Sequence, residues 1–199
     1  MPPFLFTQNS RMFSLFNFPF QKIPYSFFEN IKMTNHYVSF LSLLNSDPLI
    51  DEIGFQLLSN EEPFLLQDHK LALHLPLVPL LYTLAKDQLS LYPEEASRVL
   101  LLLSSDSYTT WNIRRKLHDI IISKELYFIN LVLSKTPKSI DTWAYRRWLL
   151  SQNTNEINEK YARNELIFCT KVAERSPRNY HVWSHRLWLV GYGINIHKI

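Results

Sequence analysis

The sequence has 199 residues, 46% of them apolar, with a formal net charge of +3, 3 glycines, 10 tyrosines, 5 tryptophans and one cysteine. Such a chain can bury one sizeable core as a soluble globular domain. So few glycines beside so many aromatics argue against a Gly-rich barrel or phosphate-cradling loop and for an all-α chain with large aromatic contacts. The lone Cys169 excludes an intrachain disulfide framework and fits a reducing compartment.

The charge is unevenly placed. Residues 1–110 carry 6 Lys+Arg against 11 Asp+Glu, and residues 111–199 carry 15 against 7, so the halves differ as −5 and +8. A basic half fits nucleic acid, an anionic substrate or an acidic partner, and equally a solvated helix surface laced with ion pairs.

Residues 1–32 hold 8 of the 13 phenylalanines, broken by Pro2, Pro3, Pro19 and Pro24, with no period of two or 3.6. The segment lacks the basic start and unbroken apolar stretch of a signal peptide, and its prolines, Arg11 and Lys22 interrupt any membrane span. Met1 to Lys32 is therefore expected to be a disordered, Phe-rich extension ahead of a domain over 33–192. From Thr34 to Leu44, Tyr37, Phe40, Leu41 and Leu44 fall on one helix face. Asn45-Ser46-Asp47-Pro48 stops that helix, and Leu49 to Leu58 reads as an irregular acidic connection. Between Leu65 and Leu91 the leucine-rich run is interrupted by Pro76 and Pro79, which predicts two helical pieces. His69 and His74 lack the Cys or acidic companions that a zinc site needs. Pro93-Glu94-Glu95 suits a helix N-terminus and predicts a helix over 94–103.

From there the chain repeats itself. Trp111, Trp143 and Trp183 are spaced 143 − 111 = 32 and 183 − 143 = 40 residues apart, the length of a helical hairpin. Three residues after each tryptophan stands Arg114, Arg146 or Arg186, and six after stands Leu117, Leu149 or Leu189. Six before stands Ser105, Pro137 or Pro177, and Glu125 and Glu165 share the eighteenth position upstream. The prediction is a solenoid of stacked antiparallel hairpins, with units at about 94–120, 122–151 and 156–190 and a tail over 193–199. Proline breaks the first helix of a pair, and Ser107, Asp141 or Asn179 can cap the second. Trp and Arg at i and i+3 share a face, so each guanidinium can reach an aromatic plane or a carboxylate of the adjacent helix, and the tryptophans are read mainly as core. Such a stack exposes a long curved surface suited to protein binding.

Tetratricopeptide repeats place a glycine in their first helix, and none stands between Gly54 and Gly191. RNA-processing half-tetratricopeptide repeats tend to put an aromatic where this chain has arginine. The phrases instead resemble the α-subunit repeat of protein prenyltransferases, Asn-Tyr-x-x-Trp-x-x-Arg, which Asn179-Tyr180-His181-Val182-Trp183-Ser184-His185-Arg186 matches in full. The second unit keeps Trp143, Arg146 and Arg147, and the first keeps Tyr108, Trp111 and Arg114. With Asp47-Pro48-Leu49-Ile50-Asp51-Glu52-Ile53-Gly54 upstream, the resemblance runs from about Asn45 to Tyr192.

The resemblance implies a crescent of hairpins wrapped around a β subunit that holds zinc and the prenyl chain. This chain would then need no cofactor or metal of its own, and Cys169 is a core residue rather than a nucleophile. It also implies an isoprenoid diphosphate at the subunit interface, a client protein with an acceptor cysteine, a cytoplasmic location and no nucleic acid. At the position where family members contribute a lysine toward the diphosphate stands Arg178, which keeps the charge with a planar fork instead of a point charge. Tyr180 and His181 would line the same rim. Asn179, Trp183, His185, Arg186, Trp143, Arg146, Trp111 and Arg114 would serve the β-subunit interface or repeat packing. The chain is short for the family, so a fragment and a non-enzymatic helical-repeat adaptor are the other expectations. Farnesyl and geranylgeranyl are left equally open.

Overall fold

Three helical hairpins follow the three tryptophan units. The computed structural model describes residues 25–58, 62–118, 120–152 and 159–196. The hairpins are α3 (Pro93–Leu103) with α4 (Tyr108–Arg115), α5 (Ile122–Lys135) with α6 (Ile140–Gln152), and α7 (Glu159–Arg175) with α8 (Tyr180–Ile196). Each first helix packs antiparallel on its second. Between hairpins α3 packs on α5, α4 on α6 and α6 on α8, which is the stacking expected of a helical-repeat solenoid. Pro93 starts α3 with Glu94 and Glu95 in its first turn, where the missing N–H costs nothing and acids meet the positive end of the helix.

The turns between paired helices are built alike. Ser139 precedes α6 and its Oγ accepts the Thr142 N–H at 3.2 Å, and Asn179 precedes α8 and its Oδ1 accepts from His181 and Val182. Asn179 is thus the expected cap, each such bond stabilising a helix by about 1 kcal/mol. In the second unit Ser139 takes the role expected of Asp141, which lies inside the first turn of α6. Ser107 precedes α4 without a side-chain bond to the backbone, and its hydroxyl meets that of Thr110 instead.

Ahead of the hairpins lies a unit that is not all helical. The first helix, α1, runs over Tyr25–Ser46, so residues 25–32 belong to it and not to the expected extension, and residues 1–24 fall outside the described residues. Its buried face is the expected one, with Tyr37, Phe40 and Leu44 inside. The segment read as an irregular connection contains β1 (Glu52–Gln56). The first helical piece expected after Leu65 is instead a hairpin of β2 (Phe64–Gln67) and β3 (Lys70–His74). In the resulting sheet β3 is central, antiparallel to β2 and parallel to β1. A 3-10 turn at Leu75–Leu77 leads into α2 (Val78–Gln88), the second helical piece.

The strands were hidden because leucine serves both structures. Leu71 and Leu73 are buried while Lys70, Ala72 and His74 face outward, a strand period over too few residues to outweigh the leucine count. The hairpin turn is Asp68-His69, both with positive φ (50° and 62°), a two-residue turn without the usual glycine. His69 is held there by its Nδ1 against Asp47 Oδ2 at 2.7 Å.

The sheet leans on the first helix of the second unit. Ile53 N–H donates to Ser134 Oγ at 3.3 Å and the Tyr127 hydroxyl to the Ile50 carbonyl at 2.5 Å. The Lys135 ammonium sits 4.1 Å over the Phe55 ring and donates to the Leu103 carbonyl at 2.9 Å. One continuous core joins α1, the sheet and the hairpins, from Tyr37 and Ile53 through Trp111 and Trp143 to Val182. At the C-terminal end α8 continues through Ile196, so residues 193–196 are helical where a tail was expected. Among the described residues no helix is long and apolar enough to cross a membrane.

Candidate functional site

The recurring phrase builds a lock between successive hairpins. Trp111 and Trp143 are fully buried, and each indole N–H donates to the carbonyl six residues back, Ser105 and Pro137, at 2.8 Å. That bond ties the second helix to the turn preceding it and satisfies the one polar atom of a buried indole. The Pro137 carbonyl also accepts from Asn179 Nδ2 at 2.6 Å, so the cap of the third unit grips the turn of the second. The corresponding grip one unit earlier is Ser139 Oγ on Asp106 Oδ1 at 2.7 Å.

The arginines complete the lock. Arg114 directs Nε and Nη2 to the two oxygens of Glu125 in the next hairpin, at 2.7 and 2.5 Å. Its Nη1 stays within its own unit, on Ser97 Oγ at 2.9 Å. Arg146 does the same one repeat later, with Nε and Nη2 on Glu165 and Nη1 on Asn130 Oδ1 at 2.8 Å. In both cases the aromatic three residues past the glutamate lies under the guanidinium, Phe128 at 4.5 Å and Phe168 at 4.1 Å. A third group closes each site from the second helix of the following unit: Tyr145 OH donates to Glu125 Oε1 at 2.8 Å, and His185 Nε2 to Glu165 Oε1 at 2.7 Å.

These are buried charges whose mutual pairing compensates for lost hydration. Burial pushes the Glu165 carboxyl up, but the Arg146 charge and the hydrogen bonds from Arg146 and His185 overcome it and bring it down to about 2. Burial pushes the Arg114 guanidinium down, yet its hydrogen bonds and attraction to Glu125 leave it above its ordinary value. His185 is fully buried; desolvation lowers its pKa despite the pull of Glu165. A neutral imidazole with its proton on Nε2 fits both the bond to Glu165 and a buried Nδ1 without a partner. The recurring glutamate was visible at the eighteenth position before the tryptophan. The sequence could not say that it serves the arginine of the preceding unit, nor that Tyr145 and His185 share a role.

Cys169 is buried at the position occupied by Ile129 in the second unit and Ser97 in the first, all core. Desolvation, reinforced by Glu165, pushes its thiol up to about 12, the opposite of what a nucleophile needs. Potential ligand atoms of Glu165, Cys169 and His185 lie within 4.8 Å of one another. A metal there would compete with the Arg146 guanidinium for both carboxylate oxygens and would need a thiolate that burial disfavours. The donor set fits the lock better than an ion.

The residues expected near a lipid diphosphate lie at the turn entering α8. Arg178 is exposed, Tyr180 is 77% exposed with its ring edge-on to His181, and His181 is half-buried. Asn179, the fourth of that group, is buried as the helix cap. Of the residues assigned to interface or packing, Trp111, Arg114, Trp143, Arg146 and His185 lie inside the repeat contacts. The third unit departs from the reading of its tryptophan as core: Trp183 is 48% exposed, with Arg186 stacked on it at 5.1 Å.

Comparison with known proteins meets this geometry. The family profile of the protein prenyltransferase alpha subunit repeat matches residues 122–153 and 162–193, the second and third hairpins. A zebrafish (Danio rerio) protein named protein prenyltransferase alpha subunit repeat-containing protein 1 is 33% identical over 130 residues, covering 56% of this chain and 30% of that protein. The human (Homo sapiens) protein of that name is 33% identical over 133 residues, with coverage of 56% and 32%. A Candida albicans geranylgeranyl transferase type-2 subunit alpha is 30% identical over 90 residues, with coverage of 35% and 24%. The chain spans about a third of the length of these repeat-containing relatives.

Proposed function

We propose that this chain, whose second and third hairpins match the protein prenyltransferase alpha subunit repeat, acts as the α-type member of a two-chain protein prenyltransferase. It scaffolds a β subunit that carries the zinc and binds the isoprenoid, and the pair transfers a farnesyl or geranylgeranyl group to a client cysteine. The chemistry would fall to the partner, where zinc would supply activation of the client thiol, and the α-type chain supplies shape and a cationic edge. The reading places the complex in the cytoplasm.

The observation that carries the proposal is the lock itself, repeated from Arg114–Glu125 to Arg146–Glu165, its second instance joining the two hairpins that match the family profile. A rigid stack of this kind holds a curved surface against a large partner without spending order on binding. Arg178 supports a role near the diphosphate because it is exposed at the turn and free to offer a bidentate fork to phosphate oxygens. Tyr180 and His181 stand beside it as rim contacts.

The test is co-expression with a prenyltransferase β subunit, followed by co-purification and an assay of lipid transfer to a cysteine-bearing client. Stable association with transfer supports the proposal. Association without transfer, unaltered by Arg178→Glu, favours the adaptor reading, and failure to associate removes the prenyltransferase reading.

A further inference from the structure

We propose that the cavity between the end of α1 and the N-terminal halves of α3 and α5 binds the phosphate of a small phosphomonoester, with Arg98 as its principal ligand and Lys124 as the second. The cavity holds about 480 Å³, a size suited to a small molecule. Asn45 and Pro48 line it from the end of α1 and the turn that follows, Glu94 and Arg98 from α3, and Ser123 and Lys124 from the first turn of α5.

Arg98 carries a charge that the fold does not neutralise. Its side chain is half-buried, and among the described residues its hydrogen bond runs from Nη1 to Asn45 Oδ1 at 3.2 Å, a neutral partner. A guanidinium has five N–H donors, so most of its fork is left for a ligand. Arg114, which lines the same cavity, is by contrast saturated: Glu125 takes Nε and Nη2, and Ser97 Oγ and the Glu94 carbonyl take Nη1. Burial and the Arg114 charge hold the Arg98 guanidinium below its ordinary value in spite of Glu94, Glu125 and Glu95. A cation partly withdrawn from water beside a second cation gains from an anion.

The lining says which anion. With Arg114 and Glu125 cancelling each other, Arg98 and Lys124 stand against the single carboxylate of Glu94. Lys124 is exposed and meets no carboxylate among the described residues. A carboxylate ligand would be spent on the Arg98 fork alone, whereas the three oxygens of a phosphomonoester reach both the fork and the lysine point charge. The Ser123 hydroxyl and the Asn45 amide N–H groups add uncharged donors, and Leu44 and Pro48 offer an apolar flank to the organic part of the ester. The site belongs to the first hairpin, away from Arg178 in the third, and is independent of lipid transfer.

The test is titration of the 199-residue chain with phenyl phosphate at fixed ionic strength, read by NMR of the arginine Nε–H groups, with Arg98→Gln identifying the resonance. The Arg98 signal should move and saturate at millimolar ester. By calorimetry Arg98→Gln and Lys124→Gln should each weaken binding about tenfold, and Lys124, being exposed, can be changed without disturbing the core. Inorganic phosphate should bind more weakly than the ester, and Glu94→Gln should tighten the complex by removing the opposing carboxylate. An Arg98 signal that does not move overturns the proposal, as does binding that ignores both cation variants. Equal affinity for inorganic phosphate would give the site to the free ion, and weaker binding in Glu94→Gln would make the glutamate the receiving group; either result overturns the assignment.

Discussion

Truncating Arg146 to alanine isolates the lock. Glu165, 5% exposed in the parent, would lose both guanidinium bonds and, among the described residues, keep the His185 imidazole in surroundings that disfavour its charge. Removing one partner of a buried ion pair costs about 3–5 kcal/mol, most of it the stranded charge. For a chain of this size about 1 kcal/mol moves Tm by roughly 2–4 °C, so the variant should melt on the order of 10 °C below the parent. The cycle is completed by Glu165→Leu and by the double variant, each followed by urea and thermal unfolding. Because the leucine removes the stranded carboxylate, the double variant should recover part of the loss, with a coupling of about 2 kcal/mol or more. The penalty should also shrink with acid: without the Arg146 charge, burial favours the protonated Glu165 carboxyl, which then takes up its proton at a higher pH than in the parent. A cost below about 1 kcal/mol, the value of an exposed pair, or strict additivity in the cycle, would refute the buried-lock reasoning.

In the parent chain, Glu165 at about 2 against an ordinary value of 4.5 means that the unfolded state takes up the proton first. The stability it contributes, on the order of 3 kcal/mol, is present above pH 4.5 and lost as pH falls toward 2; His185, also lowered, adds a decline that begins below its ordinary value of 6.5. Circular-dichroism melts from pH 7 to 2 should show both, and a Tm flat to pH 3 would contradict them. Trp143→Ala should cost roughly 3–5 kcal/mol and Trp183→Ala about 1 kcal/mol by urea unfolding, because only the first empties a filled, hydrogen-bonded site. Lys135, lowered to about 8 by burial, should titrate near there in carbon NMR of the lysine side chains, well below an ordinary lysine. Arg178→Glu should abolish lipid transfer in a reconstituted complex while leaving co-purification with the β subunit intact, since the side chain is exposed and holds no packing contact of the lock.

The amino-acid order alone determined the hairpins. Tryptophan and arginine at one helix spacing, recurring with a proline or serine six residues before, left little freedom in where helices begin, which face is buried and which family the pattern resembles. Those signals are local: periodicity, turn chemistry and capping act within a few residues of one another. The same order left the β-sheet illegible, because Phe64–Gln67 and Lys70–His74 draw on leucines that suit a helix as well. Their strand form depends on a core face covered by α1 and on pairing with β1, which α5 holds in place. Tertiary structure also decided the partners of the arginines. Glu125 recurs with Glu165 in the sequence, yet nothing local states that each accepts from the unit before, that Tyr145 and His185 finish the two sites alike, or that a buried guanidinium would claim the carboxylate beside Cys169. Trp183 shares with Trp143 the proline six residues before, the arginine three after and the leucine six after, yet differs in burial, because burial belongs to what packs against a residue and not to the residue.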